Sequence, residues 1–139
     1  MATTIRAEIS EKNPYWIEKH RYYELKHFCL QYPIWKKAYT AIEGLHSNTM
    51  DLAIKVVTHG VSDPTAKYAI AKAYYSDRIE MLERIAVMTS PELGNYILKG
   101  VVEGISYDIL KARLNVPCCK DTYYKLYRRF FWLLDIERG

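Results

Sequence analysis

Apolar positions along this chain recur at three- and four-residue steps from end to end, and three of the stretches that carry them open with the same punctuation. Asn13-Pro14, Asp63-Pro64 and Ser90-Pro91 each set a side-chain acceptor before a proline. That order suits an N-cap followed by the first helical position, where the missing N–H costs nothing. The first predicts a helix from Pro14 to about Gln31, with Tyr22, Leu25, Phe28, Cys29 and Tyr32 at helical spacing. Pro33 ends it, because proline removes a hydrogen bond and pushes Tyr32 out of the helical region. A second helix over Pro33 to Leu45 carries Ile34, Trp35, Ala38, Tyr39 and Ile42 at three- and four-residue steps, and Gly44 with the polar HSNT marks its end.

Residues 46 to 62 have the weakest pattern. Ile54, Val56 and Val57 are β-branched and would suit a strand. A lone strand would have nothing to pair with, so helix is the expectation. From Pro64 to about Thr89 runs a long helix, roughly 39 Å at the standard rise per residue. Its apolar line is Ala66, Ala69, Ile70, Ala73, Tyr74, Met81, Leu82, Ile85 and Met88, and Glu80 and Arg84 stand four apart in the favourable order for a surface pair. Such a helix either forms the spine of the domain or reaches out to a second copy.

After Ser90-Pro91, Leu93, Tyr96, Ile97, Val101 and Val102 predict an amphipathic helix as far as Glu103. Gly104 suits a left-handed C-cap, and Ser106 can cap the next helix. The run GISYDILKARLNVPCCKDTYYKLYRRFFWLL then reads as a short helix, a tight turn and a longer helix. In the short helix Ile105, Ile109, Leu110 and Leu114 are the expected inward positions. Asn115 tolerates a left-handed turn, Val116 is the apolar plug, and Pro117 forbids continuation. The long helix has Tyr123, Leu126, Tyr127, Phe130, Leu133 and Leu134 at the spacing of a buried stripe. The coarse result is an all-α chain of five to six helices with a long central helix and a C-terminal helix-turn-helix. Its regions are an aromatic-rich N-terminal helical part over 1–62, the central helix over 63–90 and the helix-turn-helix part over 91–139. Residues 1–12, polar and without a sustained period, read as a loosely docked tail.

Charge adds a direction to this outline. The net charge is only +4, but between residues 106 and 131 Lys111, Arg113, Lys120, Lys125, Arg128 and Arg129 face only Asp108 and Asp121. A local positive patch points to a polyanion, and the second helix of a helix-turn-helix lies in a DNA major groove. Lys120, Asp121, Thr122, Tyr124 and Lys125 occupy the first turns, which reach base edges. Arg128 and Arg129 lie farther along, where phosphate contacts are more usual. Lys111 and Arg113, with Tyr107, could clamp the backbone. A basic face on a helix pair also suits a plain packing unit with a solvated side, and spacing alone does not separate the two.

Other chemistry is poorly served. The chain has no phosphate-cradling glycine loop, nucleophile elbow or paired-carboxylate motif. His20 and His27 flank Glu24 seven residues apart, which is not a metal spacing. No enzyme activity, cofactor or metal is expected. Cys29 and the adjacent Cys118 and Cys119 make no disulfide framework, so a reducing cytoplasm is the simplest home. No apolar run approaches the length of a membrane span and the N-terminus has no signal-like core, so membrane partners are not expected.

The order PELGNYILKGVVEGISYDILKARLNVP resembles region four of bacterial sigma factors, where an apolar helix leads through Glu-Gly, an apolar residue and Ser into the helix-turn-helix. Within that group the chain is more similar to small phage-encoded regulators of the ArpU and RinA type, over residues 91 to 134. The upstream YWIEKHRYYELKHFCLQYPIWKKAY also resembles uncharacterised prophage proteins of clostridia. The resemblance implies a phage or prophage transcription regulator that binds double-stranded DNA through Ser106 to Leu114 and Lys120 to Arg129, in a host bacterial cytoplasm. One departure is visible. From Val116 to Tyr123 the spacing is about two residues longer than usual in the family, so Pro117-Cys118-Cys119 either lengthens the turn or changes the face that looks outward. Since one recognition helix reads few base pairs, symmetric half-sites and a homodimer are the common remedy.

The aromatic load supports a different reading. Thirteen tyrosines exceed what a core of this size needs, and tyrosine serves well where one end is apolar and the other wet. Tyr22, Tyr23 and Trp35 are therefore candidates for a surface that binds RNA polymerase or another host protein, as a protein-binding module or inhibitor.

Overall fold

The structure is a computed structural model that describes residues 13–44 and 47–139, with residues 47–51 described by their backbone alone. The N-terminal tail expected over 1–12, and Leu45 at the end of the second expected helix, lie outside these residues. The described residues form seven helices and no strand: α1 (Lys19–Leu30), α2 (Tyr32–Gly44), α3 (Ser47–Val57), α4 (Pro64–Thr89), α5 (Gly94–Glu103), α6 (Tyr107–Leu114) and α7 (Lys120–Arg138). The ambiguous stretch is thus helical, as α3.

The three Asx/Ser-Pro signals behave differently. Asp63-Pro64 starts α4 as expected, the Asp63 carboxylate accepting from Thr65 N at 3.0 Å. Asn13-Pro14 makes only a turn, its side chain accepting from Tyr15 N at 2.8 Å and its carbonyl from Trp16 N at 3.0 Å. The helix begins five residues later than expected because Glu18 caps it, accepting from His20 N and Arg21 N. Those backbone N–H groups hold the Glu18 carboxyl below its usual range, the bond from His20 foremost. Ser90-Pro91 likewise forms a turn, closed by Leu93 N on Ser90 Oγ at 3.0 Å, and α5 starts only at Gly94. Tyr32 sits inside the first turn of α2 rather than outside it, with Gln31 alone separating two helices.

The chain divides into two compact units that do not follow the linear regions. One joins the segment up to Gln31 with Leu82–Gly139, and the other is Tyr32–Met81. The boundaries thus fall at Gln31/Tyr32 and Met81/Leu82 instead of near 62 and 90.

In the first unit α7 is central and packs on α1 and α5, while α6 packs on α5. Its core is aromatic. Tyr22 meets the edge of Phe131 at 5.1 Å, Tyr127 lies 5.0 Å from Phe131, and Tyr123 and Tyr124 stand 5.0 Å apart. At the rim Arg21 Nε donates to Asp135 Oδ1 at 2.6 Å, tying α1 to the far end of α7. Arg84 pairs with Glu137 at 2.8 Å, rather than with Glu80.

In the second unit α2 and α3 pack together. The Tyr75 hydroxyl donates to Ala53 O at 2.8 Å, and Lys72 reaches Glu43 at 2.6 Å. The inward line of α4 here is Ala71, Tyr75 and Ile79, while the expected Ala69, Ile70 and Ala73 are exposed. Alanines give a helix little preference for either side, so the buried tyrosine with a bonded hydroxyl sets the rotation.

Candidate nucleic-acid interface

The turn between α6 and α7 is built by short-range bonds. Ser106 caps α6, its Oγ accepting from Ile109 N. Gly104 before it is left-handed at φ 66, and Asn115 after it at φ 51. Asn115 N then closes on Lys111 O at 2.8 Å, and Val116 is fully buried as the plug. Lys111 Nζ donates to Val116 O at 2.8 Å, and the Tyr107 hydroxyl donates to Cys118 O at 2.6 Å. The turn runs from Asn115 through Pro117 and Cys118 to Cys119, the cap residue of α7, which begins at Lys120.

The facing of α7 differs from the expected stripe. Its buried residues are Tyr123, Tyr124, Tyr127, Phe130, Phe131 and Leu134, whereas Leu126 and Leu133 are half-buried. At 3.6 residues per turn this rotates the inward face by roughly 60° from the expected stripe. The sequence carried the signal for it. Aromatic doublets at 123/124 and 130/131, seven residues apart, centre a wide buried face between their members. The two-sided packing of α7 on α1 and α5 requires such a face.

Several candidates therefore move inward. Tyr124, expected at base edges, is 1% exposed, and its hydroxyl accepts from Tyr107 N at 3.2 Å. Tyr107, expected as a backbone clamp, is buried as a staple of the turn. Ile109 and Leu114 move the other way. They were expected inside and are more than two-fifths exposed, because α6 buries only Tyr107 and Leu110.

Arg129 does not look freely outward. It donates from Nε to Thr89 O and from Nη2 to Met88 O, both at 3.3 Å, and so binds the last carbonyls of α4. Its Nη1 reaches the Tyr15 hydroxyl at 3.4 Å, and Tyr15 covers Trp132 at 5.5 Å. The outer side of α7 beyond this point is occupied. Arg128 is half-buried, with Nε enclosed and lacking a hydrogen-bond partner.

What stays outside is the beginning of α7. Lys120, Asp121, Thr122 and Lys125 are all exposed. Lys120 lies 3.6 Å from Asp108 of α6, while among the described residues Lys125 and Asp121 have no ion pair. Thr122 Oγ1 and Cys119 Sγ are 3.2 Å apart, and this bond foremost pulls the Cys119 thiol below its usual range. Burial pushes Cys118 the other way. On α6, Arg113 is largely exposed and stands 3.9 Å from Glu103, which Lys99 holds at 2.6 Å. The assembly is an exposed helix end with Lys120, Lys125 and Arg113, where Asp108 faces Lys120, Glu103 faces Arg113 and Asp121 stands in the first turn of α7.

The candidate aromatic surface is not assembled. Tyr22 is fully buried, its hydroxyl 2.7 Å from that of Tyr127, and Trp35 is 3% exposed. Tyr23 is half-buried against Tyr22, with ring centroids 5.3 Å apart. Five of the thirteen tyrosines, Tyr22, Tyr107, Tyr123, Tyr124 and Tyr127, are buried in the core of the first unit.

Among the described residues no group of His, Cys, Asp and Glu could hold a metal ion, and no helix is long and apolar enough to cross a membrane. A cavity of about 30 Å³ beside Lys26, Gly100, Gly104, Tyr124 and Tyr127 has room for about one water, too little for a cofactor. Compared with profiles of known protein families, with curated proteins and with solved structures, the chain matches none.

Proposed function

We propose that this protein is a DNA-binding transcription regulator of phage or prophage origin that inserts the start of α7 into a major groove of double-stranded DNA. The observation that carries the reading is the protruding end of α7, held by a left-handed Asn115 and a buried Val116 and presenting Lys120, Thr122 and Lys125 to solvent. An α-helix about 10–12 Å across with its side chains fits a major groove about 12 Å wide. Among the described residues Lys125 has no ion pair to give up, and Lys120 and Arg113 make only loose, exposed pairs that phosphates can replace. Arg128 supplies a further cation from the next turn, and Lys111 fixes the turn rather than reaching out. Few phosphates are neutralised by one copy, which is the physical reason for a homodimer on symmetric half-sites.

The test is titration of the full chain with duplexes selected from a randomised library, against scrambled duplexes, over a range of salt. Specific binding should exceed scrambled by at least about a hundredfold and weaken with salt. Equal affinity for both pools, with little salt dependence, would remove the reading.

A second reading, binding of RNA polymerase or another host protein, draws on the other unit. Ile34, Leu52 and Val56 are each more than three-fifths exposed there, and Leu52 and Val56 share one side of α3. Capture of a host protein that survives nuclease and is lost in Leu52→Glu/Val56→Glu would favour it. The two functions can coexist on one chain.

A further inference from the structure

We infer that Asp121 reads cytosine, accepting a hydrogen bond from its exocyclic amino group in the major groove; the inference rests on the DNA-binding reading above. Asp121 and Asp108 are the carboxylates nearest the protruding end of α7, and they differ. Asp108 faces Lys120 at 3.6 Å. Asp121 is exposed in the first turn of α7 and has no ion pair among the described residues.

The position matters because so little of α7 can enter a groove. Tyr124 turns inward, and farther along the helix Arg129 is bound to the end of α4 and Trp132 is covered by Tyr15. A helix docked by the remaining end necessarily carries Asp121 in with it. A carboxylate accepts hydrogen bonds and cannot donate them. Phosphates repel it, and so do N7 and O6 of guanine and O4 of thymine, all acceptors. The donors on the floor of the groove are the amino groups of cytosine and adenine. Adenine places its N7 acceptor beside that amino group, whereas cytosine has a C–H there. The carboxylate therefore matches cytosine best. Lys125, four residues on and on the same side of the helix, is free for guanine O6 and N7 or for phosphate.

Asp121 also lies where a negative charge favours the helix dipole. That role would make every variant less stable and would leave base preference untouched, so the two are separable.

The experiment selects binding sites from a randomised duplex library with the full-length wild type, Asp121→Asn and Asp121→Ala, each checked for folding by its thermal transition. The wild type should enrich cytosine at one position of each half-site. Asp121→Asn should move that position to adenine, since a carboxamide matches adenine N6 and N7. Asp121→Ala should flatten it and leave the other positions unchanged. Replacing that cytosine by 2-pyrimidinone, which lacks the amino group, should weaken the wild type about tenfold and Asp121→Ala hardly at all. If Asp121→Ala selects the wild-type site, or binds all duplexes more tightly with the same preference, Asp121 is not a reader and the inference is overturned. If the wild type enriches no sequence, the DNA-binding reading falls and the inference with it.

Discussion

The hydroxyls of Tyr22 and Tyr127 meet at 2.7 Å inside the first unit, joining α1 to α7 across residues that are far apart in the chain. Both rings are buried, and among the described residues Tyr22 is the hydrogen-bond partner of the Tyr127 hydroxyl. Burial first, and then the neighbouring Tyr22, pushes the Tyr127 phenol well above its usual range. Tyr22→Phe takes away the bond that the Tyr127 hydroxyl makes and should cost about 1–3 kcal/mol, and Tyr127→Phe removes the same bond from the other side. The double variant should cost less than the sum of the singles, because it removes donor and acceptor together. Urea unfolding of the three variants checks this.

Gly100 and Tyr123 form a tighter relationship. A Cβ at Gly100 would run into the Tyr123 hydroxyl, which is buried without a hydrogen-bond partner. Gly100→Ala should destabilise by about 1–3 kcal/mol through overpacking. Tyr123→Phe alone should be neutral or stabilising, since it deletes an unsatisfied group. In the double variant the alanine gains room and helix propensity, and thermal stability should return to wild type or above it. A double variant no better than Gly100→Ala would show that the obstruction is the ring or the backbone.

Asn115 is the non-glycine residue with positive φ among those described. Asn115→Gly should keep the turn with little change in stability. Asn115→Ala should cost about 1–2 kcal/mol for the left-handed strain and should weaken DNA binding, because Lys120 and Lys125 are aimed by this turn. Thermal melts and DNA titration on the same samples measure both.

Lys125 and Arg129 lie four residues apart on α7 and should separate function from stability. Lys125→Ala should leave the thermal transition unchanged and lower the slope of log affinity against log salt by about 1. Arg129→Ala frees two carbonyls at the end of α4 and should cost about 1 kcal/mol, seen as a lower melting temperature with or without DNA.

The three thiols should titrate in a fixed order. Cys119 is exposed, and Thr122 stabilises its thiolate; burial raises Cys118, and raises the fully enclosed Cys29 much further. The thiolate is the reactive form. As pH rises, alkylation should therefore set in first at Cys119 and next at Cys118, with Cys29 labelled only on unfolding. Thr122→Val should move the Cys119 onset to higher pH. Mass spectrometry of the labelled peptides reads the order.

How much of this was legible beforehand follows from the range of each interaction. The all-α class, the bounds of α4, the left-handed caps at Gly104 and Asn115, the Ser106 cap and the Val116 plug depend on neighbours a few residues away, and the chain displays them directly. The late start of α1 was a competition between two local caps, Asn13 and Glu18, that the proline signal hid. The facing of α7 is another matter. Its buried side is chosen by packing on both α1 and α5, so periodicity counted along α7 alone misplaced Tyr124 and Leu126. Arg129 meets carbonyls forty residues upstream, and Tyr22 finds its partner more than a hundred residues downstream. An arginine or a tyrosine looks the same in sequence whether it waits for a ligand or satisfies a buried group. Tertiary packing alone settles which, because desolvation forces each buried donor and acceptor onto whatever partner the fold brings within reach.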